Sequence, residues 1–292
     1  MCIRDRGHTV AIEIIKTTGD RLQAVTFAQV GAMTGTKGMF TKEIEEALAD
    51  GRVDLAVHSL KDLPTELPDP FILAATPPRA DPRDVFVSVR YHSLSELPPA
   101  ARVGTSSQRR RAQLKAVRPD IEAVEFRGNV DTRLRKLAEG QVDAILLAAA
   151  GLDRLEKTEW VRERLEPEDF CPAAGQGALG IEIRKGDAST KGAVGFLNDA
   201  ATRFAVTVER AALSALGGGC QVPIGVHCRP VSADWVEVFG VVATPETGAA
   251  VRVYLRECPN SVDPVELGRT VAYELIAAGA GPLLEAVSGV SQ

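Results

Sequence analysis

The sequence is poor in aromatic residues, cysteines and histidines, and each shortage argues against a class of protein. Aromatic residues make up 5% of the 292 positions, which leaves few ring faces for the stacking of nucleic-acid bases. The five cysteines are scattered without a CxxC pair, and the four histidines do not cluster with them. This pattern argues against a disulfide framework and against a structural zinc site, and it favours a reducing cytoplasm.

Long apolar runs are also missing. None approaches the ~20 residues that a membrane span needs, and no secretory signal is visible. The net charge of −5 at pH 7 argues against general nucleic-acid binding by the whole chain. We therefore expect a cytoplasmic protein that binds neither membrane nor nucleic acid.

Short apolar runs alternate with helical patterns through roughly the first 185 residues, which is typical of βαβ units. This alternation predicts mostly parallel sheets covered on both faces. The predicted strands cover 9–16, 53–58, 71–76, 84–89, 102–104, 121–126 and 142–149. The predicted helices cover 41–50, 107–117 and 130–139.

The remaining patterns predict how the chain divides into domains. The proline-rich segment 77–83 and segment 171–177 are predicted to cross between two α/β units. Beyond them, a helical pattern over 191–215, a hairpin signal at 244–248 and a helix over 264–278 predict a small α+β domain. We predict domain 1 over 1–78 and 177–198, domain 2 over 79–176, and domain 3 over 199–292.

Charged loops follow three of the predicted strands, at the edge where ligands of open α/β sheets bind. They are segments 57–64, 104–111 and 126–133. Between residues 79 and 136, 13 Lys and Arg stand against 7 Asp and Glu. Because arginine forks bind carboxylates and phosphates in a bidentate way, these loops predict a polyanionic small ligand. For Arg111, Lys115, Arg135 and Lys136, a solvated helix face is the simpler interpretation.

Asp62 follows a predicted strand directly and has two interpretations. It could cap a helix or pair with Lys61. It could instead be a carboxylate beside a cationic transition state, or a general acid and base. No GxSxG or Walker A motif is present. Segment 175–180 matches GxGxxG only in its letters, because it precedes a predicted strand.

Cys220 follows three glycines at 217–219. Glycines allow positive φ and a close approach of a bulky group to the backbone. The loop therefore fits either an ordinary buried thiol or a cysteine that carries a large covalent group.

Five motifs together resemble the porphobilinogen deaminase (hydroxymethylbilane synthase) family. They are AVHSLKDLPTELP at 56–68, VGTSSQRRRAQL at 103–114, FRGNVDTRL at 126–134, PAAGQGALGIE at 172–182 and GGGCQVPIG at 217–225. The resemblance implies three α/β domains, of which the first two are like the halves of a periplasmic-type anion-binding protein. It implies a monomer that condenses four porphobilinogen molecules head to tail, releases ammonia at each step, and hydrolyses the product to hydroxymethylbilane.

The resemblance also implies a role for particular residues. Cys220 would hold a dipyrromethane cofactor through a thioether, and Asp62 would be the catalytic carboxylate that helps deamination and stabilises the positive pyrrole and azafulvene intermediates. The other cofactor-binding residues would be Ser59, Lys61, Thr105, Ser107, Arg109, Arg110 and Gly128. The substrate-binding residues would be Arg79, Arg83, Arg127, Arg133 and Gln176. No metal is implied.

The sequence departs from the family at its start. The family opens with a strand and an Arg-x-Ser-x-Leu-Ala loop, whereas here Met1–Arg6 runs directly into a segment that resembles the family's second strand. We expect this opening to be either a truncation or a gene-assembly artefact, and the activity of the chain to be impaired. Segment 29–40 also looks longer than the glycine-rich loop usual there.

Three other functions explain only part of the sequence. A non-catalytic anion-binding module would explain the arginines but not the Cys220 loop. A nucleic-acid binder conflicts with the acidic charge and the sparse aromatic residues. A thiol enzyme lacks a histidine placed by motif to activate Cys220.

Overall fold

The protein is described here from a computed structural model, which describes residues 7–15, 17, 41–218 and 222–289. Its strands, numbered in chain order, are β1 (Leu55–Ser59), β2 (Phe71–Ala75), β3 (Asp84–Val87), β4 (Arg102–Gly104), β5 (Glu122–Val124), β6 (Ala144–Ala148), β7 (Val161–Arg164), β8 (Leu179–Arg184), β9 (Ile224–Pro230), β10 (Val236–Ala243) and β11 (Ala250–Glu257). Its helices are α1 (Lys42–Ala49), α2 (Gln108–Val117), α3 (Val130–Ala138), α4 (Ala149–Arg154), α5 (Ala188–Val194), α6 (Ala200–Ala215), α7 (Pro264–Leu275) and α8 (Gly281–Gly289). None of the helices in this described part is long and apolar enough to cross a membrane.

The chain divides into two compact units. Unit 1 comprises Met1–Arg79 and Ala178–Arg203, and unit 2 comprises Ala80–Gly177 and Phe204–Gln292. In unit 1, β8 lies between β1 and β2 and pairs antiparallel with both. Leu48 of α1 packs with Ala56 and Phe71 beside this sheet.

Unit 2 contains a five-stranded sheet in the order β5-β4-β6-β3-β7. Strand β4 pairs parallel with β5 and β6, whereas β3 pairs antiparallel with β6 and β7. Neighbouring residues of β6 alternate between two cores: Leu146 packs in one, and Ile145 and Leu147 pack in the other. This alternation is expected of a strand that is buried on both faces.

A second sheet of unit 2 is antiparallel, in the order β11-β10-β9. One face packs against α6 and α7, which approach so closely that a Cβ on Gly268 would lie 2.4 Å from the Val208 carbonyl oxygen. On the other face, Phe239 of β10 packs with Ala112 of α2 and with Cys171. Contacts within unit 2 therefore join residues 80–177 to residues 204–292.

The predicted α/β fold class is confirmed, and so are most of the predicted elements. Two details are wrong. The described strand pairs are mixed rather than mostly parallel, because a long-range pairing direction has no local signal in the sequence. The predicted helix over 191–215 is two helices, because α5 ends at Val194 and a 3-10 turn over Gly195–Leu197 follows it. Asn198 then accepts a hydrogen bond from Thr76 N at 3.1 Å, and the Asp199 carboxylate caps α6 by accepting from Thr202 N at 2.7 Å.

Other predictions meet the limits of the described residues. The strand predicted over 9–16 is also wrong over its described part, because residues 9–15 form no strand. Segment 29–40 lies outside the described residues, as does Cys220. The division into three domains stays a prediction.

Candidate functional site

The Asp62 loop follows β1 in unit 1. After β1 the chain makes one turn of 3-10 helix over Leu60–Asp62. Leu60 fixes this turn, because its side chain is buried and its N–H donates to the Ala178 carbonyl at 3.0 Å. Ser59 and Lys61 are half-buried, and Asp62 is exposed. The sequence thus anchors the turn through its apolar residue and presents the carboxylate to solvent.

A buried pair lies directly before this loop. His58 Nε2 lies 2.9 Å from Glu182 Oε2, and both side chains are almost fully buried. The pair ties the end of β1 to β8 beneath the turn that carries Asp62. This contact gives His58 a structural role.

The second charged loop joins β4 to α2 in unit 2. Ser107 caps α2, since its hydroxyl accepts from Arg110 N at 3.4 Å. Thr105 is fully buried, and its hydroxyl accepts from Ser107 N at 3.2 Å. Gly104 is required by close packing, because a Cβ there would lie 2.7 Å from the Phe126 ring. These contacts place the first turn of α2, with Arg109 and Arg110, at the end of β4.

Arg109 and Arg110 share one buried carboxylate, that of Asp84. Arg110 donates to Asp84 Oδ1 from Nε at 3.0 Å and from Nη2 at 2.7 Å. Arg109 Nη1 lies 2.7 Å from Asp84 Oδ2 and also donates to the Cys171 carbonyl at 2.5 Å. These contacts fix both guanidinium groups, and both side chains are largely buried.

The third loop brings Arg133 to this cluster. Gly128, at φ 123°, directs its carbonyl to Arg133 Nε at 2.7 Å. Asn129 caps α3 by accepting from Thr132 N at 2.8 Å. Burial, together with the positive charges of Arg110 and Arg127, lowers the pKa of Arg133 to about 10. Arg133 is therefore a desolvated cation with two other cations nearby.

Three predicted binding residues form ion pairs or hydrogen bonds with neighbouring side chains. Arg83 pairs with Asp81 at 2.8 Å and with Glu166 at 2.6 Å. Gln176 is 1% exposed, and its Nε2 donates to Asp84 Oδ1 at 2.8 Å. Arg127 Nε donates to Glu125 at 2.5 Å. The role of these residues in substrate binding stays a prediction.

Arg79 is half-buried, and its backbone N–H donates to the Thr202 hydroxyl at 3.1 Å within unit 1. Its predicted role likewise stays a prediction.

The cluster fits a ligand that carries several carboxylates. Arg109 Nε is buried and lacks a hydrogen-bond acceptor among the described residues. Together with the lowered pKa of Arg133, this shows that the cationic groups lack part of their compensation. A bound polycarboxylate would supply it. No group of His, Cys, Asp and Glu suited to a metal ion occurs in the described ranges.

Asp84 is the residue of this cluster that the sequence did not identify as a candidate. It was placed only as the first residue of a predicted strand. A signal was present, because a carboxylate that begins an apolar strand must be paired when the strand is buried. Its partners lie 25 and 26 residues further along the chain, so local patterns could not identify them.

Comparison with known families supports the motif-based resemblance. Residues 2–192 match the family model "Porphobilinogen deaminase, dipyromethane cofactor binding domain". Residues 203–277 match "Porphobilinogen deaminase, C-terminal domain". Together the two models account for most of the chain.

Several curated relatives are similar over nearly the whole chain. The porphobilinogen deaminase of Nitratidesulfovibrio vulgaris (Miyazaki F) is 46% identical, over 99% of this chain and 91% of the relative. That of Trichlorobacter lovleyi is 49% identical, over 96% of this chain and 88% of the relative. That of Chromobacterium violaceum is 48% identical, over 96% of this chain and 88% of the relative.

Solved structures show a more distant similarity. A periplasmic substrate-binding protein of an ABC transporter from Coxiella burnetii has a TM-score of 0.38 at 17% identity, over 65% of this chain and 92% of that chain. A nutrient-binding protein from Burkholderia cenocepacia bound to methionine has a TM-score of 0.36 at 14% identity, over 51% of this chain and 73% of that chain.

Proposed function

This chain belongs to the porphobilinogen deaminase family, and we propose that the residues described above carry the reaction of that family. The chain is a hydroxymethylbilane synthase. It condenses four porphobilinogen molecules head to tail with loss of ammonia, and it then hydrolyses the product to hydroxymethylbilane. Its cofactor is dipyrromethane, which when bound supplies the primer on which the pyrroles are added.

The observation that carries our assignment of roles is the excess of buried positive charge around Arg133. Each pyrrole of the substrate brings two carboxylates, so the protein must hold several negative charges at once. Buried guanidinium groups bind carboxylates strongly, because they are already desolvated and their nitrogens are fixed. The low pKa of Arg133 indicates a site in which a carboxylate would be stabilising.

We propose that the predicted binding residues divide this task. Cys220 holds the cofactor through a thioether. The cofactor carboxylates are bound by Ser59, Lys61, Thr105, Ser107, Arg109, Arg110 and Gly128. The substrate carboxylates are bound by Arg127, Arg133, Arg79, Arg83 and Gln176.

Asp62 has a different task in this proposal. An exposed carboxylate at the end of a 3-10 turn can hold a proton for the amine that leaves and can face the cation that forms on the substrate pyrrole. A negative charge stabilises such a delocalised cation, so the step needs no electrophilic group from the protein.

The intact mass of the purified protein tests this function directly. We expect wild-type chains to carry additional mass equal to two condensed porphobilinogen units. A Cys220→Ser variant should lack it. Cys258→Ser is the matched control, because Cys258 is a half-buried thiol far from the glycine loop in sequence, and it should retain the added mass. An addition that persists in Cys220→Ser would exclude Cys220 as the attachment point.

We also propose how the chain is organised and where it acts. Domain 1 covers 1–78 and 177–198, domain 2 covers 79–176, and domain 3 covers 199–292. The protein acts in the cytoplasm as a monomer that binds neither nucleic acid nor membrane, for which its net charge of −5 gives partial support. Light scattering after gel filtration would reveal a dimer, which this proposal excludes.

A further inference from the structure

We propose that Asp84 is a positioning residue, which holds Arg109 and Arg110 in the orientation that binds the cofactor carboxylates, and that the same two arginines, once positioned, also bind carboxylates of the incoming substrate. This inference rests on the proposed function, because it concerns how the same cluster is built. Asp84 itself is fully buried and does not reach the solvent.

The carboxylate of Asp84 is held by side chains from two segments of unit 2. Its Oδ1 accepts from Arg110 Nε, Arg110 Nη2 and Gln176 Nε2, at 3.0, 2.7 and 2.8 Å. Its Oδ2 lies 2.7 Å from Arg109 Nη1. One carboxylate therefore connects the first turn of α2 with segment 171–177.

The backbone of Asp84 is fixed as firmly as its side chain. Asp84 begins β3, which lies inside the five-stranded sheet between β6 and β7. It pairs with Ala148 of β6, and its carbonyl accepts from Leu165 N at 2.9 Å. A carboxylate on an interior strand is a better reference point than one on a loop, because its position varies little.

Arg109 and Arg110 need such a reference point. Neighbouring residues of a helix point about 100° apart, so their side chains do not face each other without a common partner. Asp84 supplies this partner and draws both guanidinium groups to one side of α2. Arg110 Nη1 also donates to the Leu146 carbonyl at 3.1 Å, which fixes the plane of that guanidinium.

The charge balance leaves the site attractive to anions. Burial alone would raise the pKa of Asp84, but the charges of Arg109 and Arg110 lower it well below the ordinary value, so the group is ionised at neutral pH. One negative charge then stands against two positive charges. Arg133, whose neighbours include Arg110, adds a third.

The test compares Asp84→Asn and Asp84→Glu with the wild-type holoenzyme in steady-state consumption of porphobilinogen. For Asp84→Asn we expect KM to rise at least about tenfold, the cost of losing hydrogen bonds to a charged group, with kcat changed less than about threefold. Asp84→Glu keeps the charge and should recover part of the loss. Asp143→Asn is the control, since Asp143 accepts from Arg102 N at 2.9 Å in the same sheet but away from the cluster.

The outcomes separate positioning from two simpler roles. If Asp84 only balanced charge, Asp84→Asn would add positive charge and lower KM. If it were only structural, the melting temperature would fall while the KM of the folded holoenzyme stayed within about twofold of wild type. Either result would overturn the proposal. Should Asp84→Asn fail to fold, Asp84→Glu carries the same test with a smaller expected rise in KM.

A second measurement does not depend on turnover. In a proton–nitrogen NMR spectrum of the arginine Nε–H groups, the Arg110 signal should exchange slowly with water in the wild type and in Asp84→Glu, and rapidly in Asp84→Asn. Unchanged protection in Asp84→Asn would contradict the proposal. A wild-type protein that shows this protection but does not consume porphobilinogen would contradict the proposed function and leave the role of Asp84 in place.

Discussion

Arg133 shows how a binding site can cost stability. Burial and two neighbouring cations lower its pKa to about 10. A cation whose pKa falls on folding is less stable in the folded protein than in the unfolded chain, so at neutral pH its charge opposes folding. In the proposed function the same charge is available to bind a substrate carboxylate, which offsets this cost when substrate is bound.

Replacing Arg133 should therefore stabilise the protein while it weakens binding. We expect Arg133→Gln, made in the Cys220→Ser background so that no cofactor is attached, to raise the melting temperature by about 2–4 °C, as a net gain of ~1 kcal/mol would. The difference should shrink as the pH rises through about 10, because Arg133 then loses its proton in the folded state. Calorimetry across this pH range measures both effects.

The control for this prediction lies on the same helix. Arg135 is 65% exposed and pairs with Glu139 along the helix at 2.8 Å. Because exposed pairs contribute little, Arg135→Gln should leave the melting temperature nearly unchanged. A melting temperature of Arg133→Gln below that of its Cys220→Ser parent would show that the contact of Arg133 with Gly128 outweighs its uncompensated charge.

At the residue scale, the sequence identified the cations better than their partners. Arg109, Arg110 and Arg133 follow predicted strand ends, and this position alone marked them as ligand-binding candidates. Asp84 begins a strand instead of following one, so the rule that identified the arginines does not apply to it. Asp84 reaches Arg109 and Arg110 because of the order of the strands in the sheet. This order cannot be deduced from the local periodicity of the sequence.

At the element scale, the turn before α3 depends on Gly128, and the position of the Arg133 side chain depends on this turn. It has φ 123°, and a Cβ there would lie 2.8 Å from Thr132 Cγ2. Its carbonyl accepts from Arg133 Nε. The turn therefore requires glycine both for its backbone conformation and for the space in front of α3.

Gly128→Ala should reduce both stability and substrate binding. Positive φ alone costs of order 1–3 kcal/mol in a residue with a Cβ. Gly140→Ala, at the other end of α3, is the matched control, since Gly140 has φ 75° and open space around its Cβ position. Urea denaturation should show a larger loss for Gly128→Ala than for Gly140→Ala, and only Gly128→Ala should raise the KM for porphobilinogen. Equal losses with unchanged KM would show that the contact with Thr132 relaxes freely.

Elements with strong end signals were predicted closely. The helix predicted over 107–117 is α2 with Ser107 as its cap, and the helix predicted over 130–139 is α3 with Asn129 as its cap. Capping residues are local, so the sequence displays them. The short edge strand β7 was missed, because its sequence VRER has no apolar run and is held by pairing with β3.

At the scale of the whole molecule, unit 2 joins two sheets that are far apart in the chain. The Gln113 side chain makes two hydrogen bonds to the backbone of Cys171. Its Oε1 accepts from Cys171 N at 2.7 Å, and its Nε2 donates to the Cys171 carbonyl at 2.9 Å. Cys171 in turn packs against Phe239 of β10 and donates from Sγ to its carbonyl at 3.5 Å. The Cys171 side chain is almost fully buried, and this burial raises the pKa of its thiol to about 12.

This continuous packing predicts that residues 80–177 and 204–292 unfold together. The only two tryptophans of the chain report on them separately, since Trp160 lies directly before β7 and Trp235 directly before β10. Urea unfolding followed by fluorescence in Trp160→Phe and Trp235→Phe variants should give transitions that coincide with each other and with circular dichroism. Phe239→Ala should lower both midpoints, because a buried aromatic ring at the shared contact contributes about 3–5 kcal/mol. Two separated midpoints in the single-tryptophan variants would instead mean that the two sheets are independent domains, and the arginine cluster would then owe nothing of its stability to the domain that carries Cys220.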